Sequence, residues 1–357
     1  MVNSEMQKKR KVYIDFLKII AIYMVLFNHT KADGFLFFTV ARTSKLYALY
    51  MFHAVLIKVA VPLFFMASGV LLLGKEESYR DLIIKRFLKY IIVLIIGCII
   101  AYLYTCLRSD PQEISINQFL KKLYTTDMIA ASWYLYVYLA YILMLPLLRK
   151  MAQHMSDTDY KWMFLMFGVM QSLSIIDFLL FKGEAGHNGN FSFFITVNYV
   201  FYPLAGYYID QKPEKAFTGK KASAFVAASI IAISISCLMT QYKCAMFDEW
   251  TESTCQTFFS TLIFIPAFTV FYITKMWFMN FDSDSKAGHI ITTVGGATFG
   301  IYLLEQICRL ETKWIFIWLR PYIHTLPACW IWILSACIFG CMITLILKQL
   351  PGVKKFI

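Results

Sequence analysis

Three ionisable side chains, Asp15, Lys18 and His29, lie within the first apolar stretch of the chain. On a helix that turns about 100° per residue, Lys18 and His29 fall at about −60° and −40° from Asp15, so the three share one narrow stripe. Histidine exchanges a proton near neutral pH, which makes His29 a candidate general base or nucleophile. The alternative is an i,i+3 ion pair of Asp15 with Lys18 beside an interfacial histidine of no consequence. These residues alone leave both interpretations open.

The helix that carries the stripe is one of about ten predicted membrane spans. Of 357 residues, 59% are apolar or aromatic and only 16% are charged, which is too little polar surface for a soluble enzyme, a disordered chain or a nucleic-acid-binding domain. A spanning helix needs about 20 mostly apolar residues. Asp15 and Lys18 interrupt the first such segment and no cleavage site follows it, so we expect a retained span and not a signal peptide. The ten segments are residues 13–30, 50–73, 88–107, 129–148, 162–181, 192–209, 222–241, 257–278, 291–310 and 328–347.

The basic residues predict the orientation of these spans. With the N-terminus inside, the cytoplasmic segments hold 21 of the 34 Lys and Arg residues and the outer segments hold 11. Positive charge accumulates on the cytoplasmic side of membrane proteins, so both termini are predicted to be cytoplasmic. No loop is long enough for a soluble domain, which makes residues 1–357 one all-α, polytopic transmembrane bundle.

Five stretches resemble the acyltransferase-3 family of membrane acyltransferases, in the order in which that family has them. The family opens with an aspartate, a basic residue and, after ten more residues, a histidine; Asp15, Lys18 and His29 match this, with lysine where arginine is more frequent. Glu305 stands where the family usually has histidine. The other stretches are VPLFFMASGVLLL (61–73), KRFLKY (85–90), SWYLYVYLAYILMLPLL (132–148) and TFGIYLLEQ (298–306).

The resemblance implies a membrane acyltransferase, of the surface-polysaccharide O-acetyltransferase type, in the cell membrane of a bacterium. Such an enzyme moves an acyl group, commonly acetyl, from cytoplasmic acyl-CoA to a hydroxyl of an extracytoplasmic polysaccharide or lipid-linked sugar. Acetyl-CoA would be a co-substrate and no cofactor would be bound permanently; the lipid bilayer is the other partner, and no nucleic acid is expected. The implied site residues are His29 and Lys18 in catalysis, Asp15, Lys85, Arg86 and Lys89 at acyl-CoA, and Trp133 and Glu305 at the acceptor.

Several interpretations stay open at this point. His29 could act as a general base or carry the acyl group itself, and Glu305 could bind the acceptor or pair with Arg309 one turn later. Intramembrane charges are equally typical of a proton-coupled transporter or polysaccharide flippase, although paired half-sequences with broken spans are not found. NHTKAD (28–33) superficially resembles the His-x4-Asp motif of glycerolipid acyltransferases, but the spacing is one residue short.

The cysteines and glycines add two further expectations. None of the nine cysteines has the spacing of a metal site, so no metal is expected, and pairing of Cys244 with Cys255 in one outer loop stays open. Gly69, and Gly296 with Gly300 in a GxxxG pair, are candidates for close helix contacts.

Overall fold

The structure is a computed structural model that describes residues 10–108, 115–125, 132–182, 191 and 193–353. Its principal helices are α1 (Val12–Asn28), α2 (Tyr47–Leu72), α3 (Tyr79–Arg108), α4 (Ser132–His154), α5 (Asp157–Phe181), α6 (Asn198–Gln211), α7 (Gly219–Phe247), α8 (Phe264–Trp277), α9 (Lys286–Leu303), α10 (Glu305–Leu319) and α11 (Thr325–Leu347). Short helices at Lys31–Asp33, Phe37–Val40, Ile116–Thr125, Phe194–Thr196, Glu214–Ala216 and Glu252–Gln256 lie between them. The described part of the chain contains no strand, which confirms the all-α prediction.

Each of the ten predicted segments contains a helix, but the helices differ in length. Six of them, α2, α3, α4, α5, α7 and α11, are long and apolar enough to cross a membrane. The bent pair of α9 and α10 makes seven if it counts as one span. Helices α1, α6 and α8 have only 17, 14 and 14 residues. The chain is thus a multi-pass membrane protein, and the count of ten stays a prediction.

The predicted continuous span 291–310 is the clearest difference from the structure. Helix α9 ends at Leu303, and α10 leaves it at an angle of 87°. The bend places the Glu305 carboxylate in the protein interior, next to a histidine and an arginine that compensate for burying its charge. The histidine, His29, is distant from Glu305 in sequence and the arginine, Arg309, is one helical turn away. A hydropathy pattern does not predict such contacts.

Helix α1 is the centre of the bundle and packs against α2, α9 and α11. Its inward positions, such as Leu17, Ala21 and Leu26, are fully buried. Gly295 lets α9 approach closely, because a Cβ at this position would lie 2.9 Å from the Cα of Asp15. Helices α2 and α6 touch in the same way, since a Cβ on Gly69 would lie 2.6 Å from the Cα of Pro203. The site residues of α1 are therefore held on a rigid central element.

Both ends of the described chain lie at one end of the bundle. The Arg10 guanidinium donates to the carbonyl of Thr292 at 2.8 Å, and Lys348 Nζ donates to the carbonyl of Gly296 at 2.7 Å. We call this the terminal end of the bundle, and the opposite end, where α1 finishes at Asn28, the distal end. That the terminal end faces the cytoplasm stays a prediction from the basic-residue count.

Candidate active site

One cavity of about 410 Å³ lies inside the bundle beside α1. Lys18 and His29 both line it, so the two residues that share a stripe in the sequence face one space in the structure. They are 11 positions apart, which on a helix is roughly 16 Å along the axis. Lys18 lies toward the terminal end and His29 at the distal end. Aromatic side chains form much of the remaining wall: Tyr90, Trp133, Tyr134, Tyr138, Tyr202 and Tyr302.

His29 has a buried carboxylate behind it. Its Nδ1 lies 3.2 Å from Oε2 of Glu305, whose side chain is 1% exposed. The same Oε2 lies 3.5 Å from Nε of Arg309, so the pairing of Glu305 with Arg309 is present together with a contact to His29. Because Nδ1 faces Glu305, Nε2 is the ring nitrogen left for the cavity. A carboxylate in this position fixes the orientation of the imidazole.

Asp15 lies beneath the cavity and holds two cations. Its Oδ1 is 2.7 Å from Lys18 Nζ, and its Oδ2 is 2.6 Å from Arg10 Nε. Asp15 itself is buried and is not part of the cavity wall. Two positive charges on one carboxylate leave a net positive group, which orients Lys18 and favours an anion at this depth.

Basic side chains surround the terminal end of the cavity. Gly296 lines the cavity, and a Cβ built on it would lie 3.5 Å from an Arg10 Nη atom and 3.9 Å from Lys348 Nζ. Lys89 lies within electrostatic range of Lys348. Together with Lys18, these groups form a basic mouth, which we define as Arg10, Lys18, Lys89 and Lys348. The sequence pattern identified Lys18 and Lys89 but missed Arg10 and Lys348. These two residues come from opposite ends of the chain and approach each other only in the folded structure.

Lys85, Arg86 and Lys89 of the KRFLKY stretch are not among the residues that line this cavity. Lys85 is 67% exposed and pairs with Asp81 at 3.0 Å. Arg86 donates from Nε to Oε2 of Glu77 at 2.7 Å. Lys85 and Arg86, which we expected to bind acyl-CoA, are therefore not positioned on the cavity wall. Each of them is paired with a carboxylate instead.

Glu77 joins the start of α3 to the end of α4. Besides Arg86 it accepts a hydrogen bond of 3.0 Å from Nη2 of Arg149, whose Nε donates to the carbonyl of Leu72. Burial alone would raise the pKa of Glu77, but the hydrogen bonds and positive charges of both arginines outweigh it and hold that pKa below its usual value. Arg149 is a buried structural residue that the sequence did not single out.

The two residues expected at the acceptor lie in different places. Trp133, at the start of α4, is 40% exposed and lines the cavity. Glu305 lies behind His29 and not on the cavity wall. The geometry gives Glu305 contact with the catalytic candidate and gives Trp133 a surface on which a ligand can stack.

No cysteine is among the described residues that line the cavity. Sγ of Cys244 and Sγ of Cys255 are 3.5 Å apart, both buried and both free thiols in the structure. Among the described residues, no group of three or more His, Cys, Asp or Glu side chains is arranged to hold a metal ion.

A comparison with protein families gives one match. The acyltransferase domain family matches residues 11–347, which is nearly the whole chain and includes every residue of the cavity wall. The chain belongs to the acyltransferase-3 family. A search of curated proteins found no match, and a search of solved structures found no match either. The family assignment supports acyl transfer as the chemistry of this membrane protein, and the resemblance inferred from the five stretches is confirmed.

Proposed function

We propose that this protein transfers an acyl group, by default acetyl, from acyl-CoA at the terminal end of the bundle to a hydroxyl of a glycan or lipid-linked sugar at the distal end. The observation that carries the proposal is the geometry of His29, which lines the cavity and has its Nδ1 3.2 Å from the buried Glu305 carboxylate. With the terminal end cytoplasmic, donor and acceptor would meet His29 from opposite sides of the cell membrane.

The donor side follows from charge. Acyl-CoA carries several phosphate charges, and clustered cations bind phosphates through charge-assisted hydrogen bonds. The basic mouth supplies such cations around the cavity wall at Gly296. Asp15 would keep Lys18 aimed into the cavity through its 2.7 Å contact, and the acyl thioester would extend past Lys18 toward His29. Lys85, at the exposed surface of α3, would act as a peripheral attraction for the same anion, whereas Arg86 is held by Glu77.

The chemical step we propose is general-base catalysis. Nε2 of His29 takes the proton of the acceptor hydroxyl as its oxygen attacks the thioester carbonyl, and the imidazolium formed is stabilised by Glu305. Collapse of the tetrahedral intermediate breaks the carbon–sulfur bond, and the CoA thiolate leaves and takes up the proton. The buried Glu305 supports this variant, because a negative charge at 3.2 Å attracts the imidazolium that forms as the proton is transferred. The second variant, an acyl-imidazole on His29, predicts labelled protein in the absence of acceptor.

The test uses membranes that contain wild-type protein, His29→Ala or His53→Ala at matched levels. His53 is a histidine of α2 that hydrogen bonds with Trp330 and does not line the cavity, so it serves as the matched control. With acyl-labelled acetyl-CoA, wild type and His53→Ala should label glycan or lipid-linked sugar, and His29→Ala should lose about 10²-fold or more of the rate. A normal rate in His29→Ala would refute the role of His29. Failure of wild type to use any short acyl-CoA would favour transport.

A further inference from the structure

Lys58 is a second lysine on the wall of the cavity, at the distal end. It lies where helix α2 is interrupted, between the segments Tyr47–Ile57 and Ala60–Leu72. The residue is half-buried, and burying an ammonium group is costly unless a partner compensates for its lost hydration. Its surroundings therefore indicate what the cavity accepts at this end.

No carboxylate in the described part of the chain contacts Lys58 directly, although Glu252 lies within electrostatic range and accepts a hydrogen bond from Gln256. Nζ donates to Oε1 of Gln256 at 2.6 Å, and it lies 4.7 Å from the centroid of the Phe35 ring. Within the described ranges, no Asp or Glu oxygen lies within 4.0 Å of this nitrogen. Lys18 differs in this respect, because its Nζ lies 2.7 Å from Oδ1 of Asp15. A neutral amide and an aromatic face hold Lys58 in place but do not remove its positive charge.

The rest of the distal wall combines apolar residues with several neutral polar side chains. Four amide or hydroxyl side chains from different parts of the fold line the cavity there: Asn28, Gln171, Asn198 and Ser260. No Asp or Glu is among the described residues that line the cavity. Neutral amides and hydroxyls suit the hydroxyl groups of a sugar, and one cation with no direct carboxylate contact among them suits a single anionic group.

We propose that Lys58 is an anion subsite for the acceptor, and that the acceptor is a sugar that bears a phosphate or carboxylate group. This inference rests on the proposed function and adds its substrate class. Lys58 binds the oxyanion, and Asn28, next to His29 in the chain, binds the sugar beside the base. The basic mouth at the terminal end and Lys58 at the distal end then serve two different anions.

The test measures sugar binding by the purified full-length protein in lipid nanodiscs. Three probes are compared: glucose 1-phosphate, glucuronate and the neutral methyl glucoside. The readout is the apparent Kd of each, from thermal stabilisation and from competition with acyl transfer. Wild type and Lys58→Arg should prefer at least one anionic probe over methyl glucoside by about tenfold or more. Lys58→Met should lose that preference, and Lys45→Met, at an exposed lysine just before α2 at the same end, should keep it.

A second variant tests the same point without removing the lysine. Gln256→Glu puts a carboxylate at the 2.6 Å partner position, where it pairs with Lys58 and competes with an anionic ligand. It should abolish the preference for the anionic probes while leaving methyl glucoside binding within about twofold. This variant also carries the test if Lys58→Met does not fold.

The outcomes separate the subsite from the proposed function. Preference for glucose 1-phosphate alone points to a phosphate-linked carrier sugar, and preference for glucuronate points to an acidic glycan; either supports the subsite. The subsite is refuted if all three probes bind equally. It is also refuted if Lys58→Met loses affinity for acyl-CoA and not for sugar. Thioester cleavage of acyl-CoA that requires His29, measured in the same preparations, upholds the proposed function in that case. If no acyl-CoA is cleaved in any preparation, the proposed function itself is refuted.

Discussion

Replacing Glu305 with glutamine tests whether the carboxylate behind His29 takes part in catalysis. The substitution keeps the shape of a fully buried side chain and removes one negative charge. At 3.2 Å and an effective dielectric constant of about 20, the Coulomb attraction between that charge and an imidazolium is about 5 kcal/mol, and Arg309, 3.5 Å from the same oxygen, offsets part of it. Each 1.36 kcal/mol is a factor of about ten in rate. The amide oxygen of glutamine retains part of this interaction, so we expect kcat to fall by about 10²- to 10³-fold.

Glu311→Gln is the matched control for this substitution. Glu311 lies on the same helix, α10, but its side chain is 43% exposed and pairs with Arg108, away from the cavity. Initial rates of acyl transfer are measured against acyl-CoA concentration for both variants and wild type. Glu305→Gln should lower kcat with little change in KM, because the lost interaction forms in the transition state. A kcat within about fivefold of wild type would refute the reasoning, and so would an equal loss in Glu311→Gln.

Three further predictions concern the elements around the site. Gly295→Ala should destabilise the protein by about 1–3 kcal/mol, since the added Cβ would overlap Asp15; Gly296→Ala should melt within about 2 °C of wild type in detergent. Lys18→Met should raise the KM for acyl-CoA by about tenfold or more, and Lys18→Arg should keep the KM close to that of wild type. The pKa of Glu77 is lower in the folded protein than in the unfolded chain. Its contribution to folding stability is therefore fully present above the unfolded-state pKa and is lost as the pH falls through the folded-state pKa. Glu77→Gln should therefore flatten the acid side of a plot of melting temperature against pH.

The fold class and the stripe on α1 follow from local rules. Helical geometry places Lys18 and His29 on one face wherever the helix lies, and intramembrane charge predicts that this face borders a cavity. The cavity lined by both residues agrees with that prediction. Asp15 beside Lys18 is also a local pair, since the two are three positions apart.

The missing parts of the site depend on contacts between distant segments. Glu305 reaches His29 only because the chain bends by 87° after α9, whereas its sequence neighbours predict a straight apolar span. The Gly296–Gly300 pair indicated a close helix contact on α9, and the closest approach is at Gly295, one residue earlier. Such details depend on the rotation of one helix against another, and residue spacing does not determine that rotation.

Sidedness is the most direct test of the central claim that an acyl group passes from one end of the bundle to the other. Sealed vesicles of both orientations are given acyl-labelled acetyl-CoA from outside, with the acceptor glycan or lipid-linked sugar on the opposite face. We predict labelled product only in the orientation that exposes the terminal end, with Arg10 and Lys348, to the donor, and only on the far face. Product on the same face as the donor, or equal labelling in both orientations, would contradict the account.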